Sequence, residues 1–320
     1  MNPLVSIITP CYNNAEFIGS AIASALNQTY PNLELIVIDD GSTDNSLEII
    51  RSFNDSRLRW ESQPNQGAPV ARNRGLALAQ GSLIKLLDAD DLLLADCIDR
   101  QVVQTQELPK DKKAIVYGDA IWVDRDGNTI TSCPSLPRNP EEDPVAHILN
   151  NSPLTSCPLH QREYLEAING FDPTLPRGQE HDLHLRLVLS GVEFVYYPGE
   201  VYKYREHQDV NRISNYTYSR HGAFAHYEAI DKQKKLIAKQ VGSLSPQVKT
   251  VLAQRFWAYG RGILREGYKK EATRYFETAR KLSPKKCVNG NSPYPLLVKL
   301  FGAIRAELVL QGVKSRLKKA

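Results

Sequence analysis

Cysteine is scarce and poorly arranged for structural work. The five in the chain, Cys11, Cys97, Cys133, Cys157 and Cys287, are odd in number and show no CxxC or Cys/His spacing. That pattern supports neither a disulfide framework nor a zinc site, and a reducing cytosol is the expected setting. Long apolar runs are missing too: none approaches the ~18–20 residues needed to cross a bilayer. A first strand is expected by about Leu4, which leaves no room for a signal peptide. The chain is therefore expected to be soluble and cytoplasmic, or at most peripheral at the inner face of a membrane.

What charge there is divides unevenly. The net +4 of the 320 residues hides 19 Lys+Arg against 31 Asp+Glu in residues 1–230, and 21 against 5 in residues 231–320. An acidic body thus carries a basic C-terminal segment. Such a segment suits an anionic partner, be it membrane phospholipid, nucleic acid or an acidic protein, and a merely solvated basic helical surface fits equally well. At 42% hydrophobic and 24% charged residues, the composition is otherwise that of a globular protein with room for a large domain and an appendage.

Residues 4–10 (Leu-Val-Ser-Ile-Ile-Thr-Pro) predict a buried strand stopped by proline. Phe17, Ile18, Ala21, Ile22, Ala25 and Leu26 then fall at helical spacing. A second strand is expected over Leu33–Ile38, a helix carrying Leu47, Ile49 and Ile50 after the caps Ser42-Thr43-Asp44, and a short strand at Leu58-Arg59-Trp60. Pro69 opens a further helix that Gly81 ends, and a fourth strand covers Leu83–Leu87. Strand and helix alternating over short connections predict an α/β fold, a mostly parallel sheet with helices on both faces. Past residue 110 the pattern loosens. Strands are expected at 115–117, 121–123 and 194–197, a hairpin turn at Asp126-Gly127, a long loop over the site from Pro134 to Pro144, and a charged helix over 180–189. From about Tyr216 the chain reads as successive helices, giving a boundary near residue 220.

The informative residues are four acids at strand ends. Asp39 and Asp40 follow Leu35-Ile36-Val37-Ile38, and Asp88 and Asp90 follow Leu83-Ile84-Lys85-Leu86-Leu87. Right-handed crossovers bring all of these strand ends to one edge, where ligands bind in open α/β sheets. A magnesium or manganese ion takes one or two protein carboxylates and completes its shell with phosphate and water, which Asp88 and Asp90 can satisfy. A single Asp after a strand is often only turn or cap chemistry, and Asp91 is read as a cap. Asp39 or Asp40 is placed to accept hydrogen bonds from a base or ribose. The segment Pro10-Cys11-Tyr12-Asn13-Asn14 leaves the first strand at the same edge and can wall a base pocket.

Four segments together resemble the family-2 glycosyltransferases, inverting enzymes of the GT-A fold that use nucleotide-sugar donors. They are Val5-Ser6-Ile7-Ile8-Thr9-Pro10-Cys11-Tyr12-Asn13, Asp39-Asp40-Gly41-Ser42-Thr43-Asp44, Ala71-Arg72-Asn73-Arg74-Gly75 and Leu87-Asp88-Ala89-Asp90-Asp91. The resemblance covers roughly residues 4–210, with the motifs in family order and spacing. It implies a nucleotide-sugar half over residues 1–110 and an acceptor half over 111–220, and the helical region read from the sequence pattern then covers 221–320. It further implies that Pro10, Tyr12, Asp39 and Asp40 bind the nucleotide, Asp40 being the nearer to the ring. Arg72 lies near the nucleotide, Asp88 near ribose and metal, and Asp90 is the principal ligand of Mn²⁺ or Mg²⁺. His207, in Tyr204-Arg205-Glu206-His207, matches a segment that returns toward the donor phosphates.

Inversion is one displacement, so an acceptor hydroxyl needs a general base and the leaving diphosphate needs positive charge. Gly170-Phe171-Asp172 followed by Gly178-Gln179-Glu180-His181-Asp182-Leu183-His184-Leu185-Arg186 resembles the family's acceptor-side segment. Glu180 stands where the family usually has Asp, one methylene longer. It is the first candidate base, with Asp182, whose position tends to be structural in the family, behind it, and then Asp119, a bound water or no base at all. His181 and His184 are expected at the surface or in packing, and Trp122 either stacks an acceptor sugar or sits in the core.

In the basic segment, Phe256, Gly260, Gly267, Ala272, Phe276, Ala279 and Pro284 fall at the spacing of one tetratricopeptide-like hairpin. A single repeat cannot bury its own face, so packing on the catalytic domain or on another subunit is expected. Leu296, Leu297, Leu300, Phe301, Ile304 and Leu308 then share a helical face, and the tail ends with Lys314, Arg316, Lys318 and Lys319. An interfacial helix on anionic membrane has this pattern, and so has a stripe packed on the same protein. The expected partners are a UDP-, GDP- or dTDP-sugar and a glycan or lipid-linked acceptor, with no nucleic acid. The alternative is a nucleotide-sugar-binding module in which Glu180 has removed turnover and the helical tail carries the binding. Nucleotidyl transfer is more distant, because no glycine-rich phosphate loop with a lysine follows the first strand.

Overall fold

The structure, a computed structural model, describes residues 2–175, 177–207 and 220–317, with side chains over 2–175, 177–207 and 226–311. Contacts divide the chain into two compact units, residues 1–140 with 151–212, and residues 141–150 with 213–320.

In chain order the elements begin β1 (Val5–Cys11), α1 (Ile18–Leu26), β2 (Leu33–Asp39), α2 (Ser46–Ser52), β3 (Leu58–Ser62), α3 (Ala68–Leu78), β4 (Leu83–Leu86), β5 (Leu92–Leu93) and α4 (Cys97–Glu107). They continue with β6 (Ala114–Val123), β7 (Thr129–Cys133), α5 (Pro144–Asn150, part of the second unit), β8 (Pro158–Gln161), α6 (Arg162–Ala167), α7 (Gln179–Leu189) and β9 (Glu193–Arg205). Among the described residues they build one sheet in the order β3-β2-β1-β4-β8-β6-β9-β5, with β7 added beside β6. β1 is parallel to β2 and β4, and β2 to β3, while β8 runs antiparallel to both β4 and β6.

β1 and β2 are buried along almost their whole length. Parallel strands covered on both faces read as continuous apolar runs, which is why the sequence marks them so clearly. The register pairs Cys11 with Asp39 and Asp39 with Ser62, so the carboxyl ends of β1, β2 and β3 lie level. α3 starts with proline in its first turn and lies directly on β1: a Cβ at Gly75 would come within 2.3 Å of Ile8 Cγ2. β4 carries an unusual guest. Lys85 is fully buried, and its Nζ donates to Gln101 Oε1 at 2.7 Å and toward the Cys157 carbonyl at 3.4 Å. Burial holds its pKa below the ordinary lysine value.

The two short strands expected at 115–117 and 121–123 are one strand, β6, running through Gly118-Asp119. A Cβ at Gly118 would meet the Gly199 carbonyl oxygen at 2.6 Å, and the register with β9 shifts at this point. A glycine that reads as a breaker is here the residue that lets two backbones approach. β8 was not anticipated at all.

The second unit holds α5 with α8 (Arg220–Val241), α9 (Pro246–Arg265), α10 (Lys269–Leu282) and α11 (Tyr294–Leu317). α5 therefore joins the helices, although it follows the passage expected as a loop over the site. Ser245 caps α9 by accepting from Val248 N and also donates to Asp143 Oδ2 at 2.5 Å. α9 and α10 form the hairpin suggested by the sequence, with Phe256, Ala272, Phe276 and Ala279 buried. A Cβ at Gly260 would lie 2.9 Å from Tyr275 Cβ, so glycine sets how closely the two helices approach. α8 and α11 pack on this pair within the unit and supply cover that one repeat lacks. α11 is not one helix: Gly302, at φ 77° and ψ 165°, breaks it. Glu307 is buried and bridged by Arg261 at 2.7 Å and Arg265 at 2.5 Å.

Candidate active site

The carboxyl edge of the sheet is bound together by side chains that cap backbone donors. Asn13 N donates to Ser42 Oγ at 3.0 Å, Asn14 N to Ser46 Oγ at 2.8 Å, and Ala15 N to Asp44 Oδ2 at 2.9 Å. Asn13 itself takes φ 48° and accepts from Thr43 N at 2.7 Å. The loop after β1 and the loop after β2 are thereby tied into one rigid wall. Tyr12 stands out from it, 43% exposed, while Pro10 at the end of β1 is half-buried.

Asp39 and Asp40 are both buried. Asp39 accepts from Ser62 Oγ at 2.7 Å and Ser42 N at 3.2 Å. Asp40 accepts from Gln63 Nε2 at 2.7 Å, Gln66 N at 3.0 Å and Gly67 N at 2.7 Å. A carboxylate offers about four acceptor positions, and Asp40 has three filled by the loop that leads into α3. Its first effect is to fix that loop.

Beyond β4, Asp88 and Asp90 stand on a turn closed by Asp91 N donating to the Asp88 carbonyl at 3.1 Å. Asp88 Oδ1 is bridged by Arg72 Nη2 at 2.6 Å, and Asp90 Oδ2 meets His207 Nε2 at 3.0 Å. Asp91 is buried and accepts from Arg205 N at 2.9 Å. It therefore anchors the end of β9 and does not cap a helix as expected. No group of three His, Cys, Asp or Glu side chains suited to a metal occurs among the described residues. Two carboxylates and an imidazole next to one of them still match what Mg²⁺ or Mn²⁺ asks of a protein when phosphate and water provide the rest.

Arg72 connects Asp88 to the segment after β8. Its Nη1 donates to Gln179 Oε1 at 2.7 Å while Nη2 holds Asp88, and its guanidinium lies 5.3 Å over the Phe171 ring. The next residue, Asn73, grips the Gly170-Phe171 turn by accepting from Phe171 N and donating to its carbonyl, both at 2.8 Å. Gly170 sits at φ 61°, and a Cβ there would strike Asn73 Oδ1 at 2.4 Å. Sequence reasoning singled out Arg72 but missed Asn73 and Gln179. Their adjacency to Arg72 and Glu180 was the available signal.

Glu180 is in the first turn of α7, half-buried beside Arg72 and Asp88. Burial pushes its pKa above the usual carboxylate value and the Asp88 charge adds to this, while Arg72 and a backbone hydrogen bond pull the other way. A carboxylate tuned upward is suited to general-base work near neutral pH. Asp182 is differently placed. It is buried and takes Arg186 Nε at 2.7 Å, and Arg186 Nη1 in turn donates to the carbonyls of Ile168 and Gly170. Its carboxylate thus orients the turn against α7 through Arg186. Asp119 is likewise engaged, by Ser135 N, the Tyr196 hydroxyl and Gly199 N. His184 is packed inside, its Nδ1 on Ser152 Oγ at 2.8 Å and its ring stacked on His160. Trp122 is half-buried, 5.6 Å from Tyr204.

A mostly parallel sheet with a C-terminal set of helices, gathering acids along one edge, is the arrangement of the GT-A transferase fold. Staphylococcus aureus TarS 1–349 in complex with UDP matches it with a TM-score of 0.66 and 17% identity, over 98% of this chain and 91% of that one. The mannosyltransferase PcManGT from Pyrobaculum calidifontis, in complex with GDP-Man and Mn²⁺, matches at 0.56 and 17%, over 100% and 89%. The profile of Glycosyl transferase family 2 matches residues 6–166, half of the chain, and the chain belongs to that family. Among its relatives, an uncharacterized glycosyltransferase of Haemophilus influenzae is 42% identical over 40% of this chain and 51% of its own length. The chondroitin synthase of Escherichia coli is 34% identical over 59% and 27%. The chain thus spans about half or less of these curated relatives.

Proposed function

We propose that this chain is a metal-dependent inverting glycosyltransferase. It moves a sugar from a UDP-, GDP- or dTDP-linked donor to a hydroxyl of a glycan or lipid-linked acceptor during surface polysaccharide synthesis. The observation that carries this reading is the convergence on Arg72, which holds Asp88 on one side and Gln179 on the other, next to a Glu180 whose pKa is raised. Donor acid and acceptor base are thereby referenced to one guanidinium. The chondroitin synthase relatives and the nucleotide and nucleotide-sugar complexes of the fold neighbours support the donor class.

In this reading Pro10 and Tyr12 wall the base, and the Asp39-Asp40 turn meets it. Asp88 and Asp90, with His207 beside them, would hold Mn²⁺ or Mg²⁺, which would supply positive charge at the diphosphate. Glu180 accepts the proton of the acceptor hydroxyl as that oxygen bonds to the anomeric carbon, and the bond from that carbon to the diphosphate oxygen breaks. Asp182 and Arg186 keep the Gly170 turn in place against α7. The enzyme works in the cytoplasm, peripheral at the inner face of the membrane where a lipid-linked acceptor is found.

The test is release of nucleoside diphosphate from a panel of nucleotide sugars with Mn²⁺ or Mg²⁺. Release from one donor that is lost in Asp90→Ala supports the proposal. Metal-dependent binding without release, even with acceptor extracts, would show a binding module, and pyrophosphate release from a nucleoside triphosphate would show nucleotidyl transfer.

A further inference from the structure

The sequence left open whether the apolar stripe near the C-terminus is covered by the protein's own helices. In α11 it is not. Tyr294, Val298, Ala303 and Ala306 turn inward and are buried. Leu296, Leu300, Phe301 and Leu308 stand in solvent, at 59%, 63%, 50% and 56% exposure. Of the stripe, Leu297 and Ile304 are half-buried. Lys299 and Arg305 are exposed among these side chains.

Among the described side chains, the outward charge carried by α11 itself has one sign, that of Lys299 and Arg305. After Glu277 the chain contains a single acid, Glu307. That acid is buried and bridged to Arg261 and Arg265, so it presents no negative charge on the outside. At the Gly302 break a cavity of about 350 Å³ opens next to Phe301 and Ile304, with Lys269, Arg280 and Arg305 on its walls against Glu277. Large apolar side chains interleaved with cations fit a phosphate-rich surface with hydrocarbon beneath it. A second copy of this chain fits worse, because a two-fold contact presses the same patch of both copies together and would bring the Lys299 and Arg305 charges of one near those of the other. Among the described residues no helix is long and apolar enough to cross a membrane. The tail's Lys314, Arg316, Lys318 and Lys319 lie outside the described side chains and are not needed here.

We infer that the exposed face of α11 from Leu296 to Leu308 docks on an anionic phospholipid bilayer. Leu296, Leu300, Phe301 and Leu308 enter the acyl boundary, and Lys299 and Arg305 meet lipid phosphates. This rests on the peripheral location proposed above and gives that location its contact surface.

The test is sedimentation of the full chain with vesicles of phosphatidylcholine alone, or of equal parts phosphatidylcholine and phosphatidylglycerol. The wild type is expected to pellet with the anionic vesicles only. Leu300→Ser with Phe301→Ser, on side chains outside the core, should lower the bound-to-free ratio by about tenfold. Lys299→Glu with Arg305→Glu should remove the dependence on phosphatidylglycerol. Asp90→Ala should pellet as the wild type does, so that failure of docking and failure of catalysis are read separately. Equal recovery in the supernatant with and without phosphatidylglycerol overturns the inference. So does a concentration-dependent dimer in gel filtration that the Leu300/Phe301 substitutions dissolve.

Discussion

Glu180 is where activity and stability should pull in opposite directions. Its pKa is raised, chiefly by burial and further by Asp88. A raised carboxyl pKa means that the folded state binds the proton more tightly than the unfolded state. The group therefore favours folding fully below its unfolded value, and this contribution is lost as pH rises through the folded value. Charge on Glu180 is therefore a burden on the fold, so Glu180→Gln should raise the Tm at pH 7 and narrow the difference at pH 4. The same substitution removes the proton acceptor, and a positioned general base is worth about 10²–10⁴ in rate. Glu180→Asp keeps the carboxylate but withdraws it by one methylene. A misplacement of about 1 Å costs around a hundredfold, so its kcat should fall between wild type and Gln. Nucleoside diphosphate release at saturating donor and metal, followed from pH 5 to 9 alongside thermal melts, reads both effects. The wild-type acid limb should lie above that of an ordinary carboxylate and vanish in Glu180→Gln. Unchanged kcat in Glu180→Gln, or a Tm that falls at pH 7, would refute the reasoning.

Three other substitutions probe other parts of the structure. Arg72→Lys cannot hold Asp88 and Gln179 together, and loss of charge-assisted bonds worth about 1.5–3 kcal/mol each should lower kcat more than donor affinity, as measured by steady-state kinetics and calorimetry. His160 is buried with neither ring nitrogen hydrogen-bonded among the described residues, and burial pushes its pKa down to about 3. Its neutral form favours folding above the unfolded value near 6.5, and that contribution fades as pH falls toward 3. Urea midpoints should therefore drop below pH 6.5, and less steeply in His160→Phe. Gly260→Ala puts a methyl against Tyr275 and Phe276. Overpacking of this kind costs about 1–3 kcal/mol, visible in thermal melts, with the donor chemistry of the first unit unaffected.

Residues 1–110 were legible because their strands are apolar runs in the sheet and their acids follow them directly. β1, β2 and β4 read as apolar runs, and Asp39, Asp40, Asp88 and Asp90 needed no tertiary information to be noticed. The residues after 110 were harder for physical reasons. Gly118-Asp119 looks like an interruption, yet Gly118 permits close approach to Gly199 and Asp119 is satisfied by three partners across the sheet. β8 is only four residues long and carries His160 inward, so it lacks an apolar pattern. The pairing of Arg72 with Gln179 spans 107 positions in sequence, and no local rule announces it. The exposed stripe of α11 was visible as a pattern, but only the structure tells which apolar residues turn outward.

Lys85 gives β4 a property that an all-aliphatic strand would lack. It stands three positions before Asp88, and its amine finds its main acceptor in Gln101 of α4. Sliding β4 by one residue would carry the ammonium to the opposite face and leave it with no acceptor, while Leu86 or Ile84 could trade places at little cost. A single internal amine thus makes the strand's lengthwise position unambiguous, and with it where along the sheet edge Asp88 and Asp90 emerge. Errors in that alignment would be proofread by solvation energy during folding, before any donor arrives.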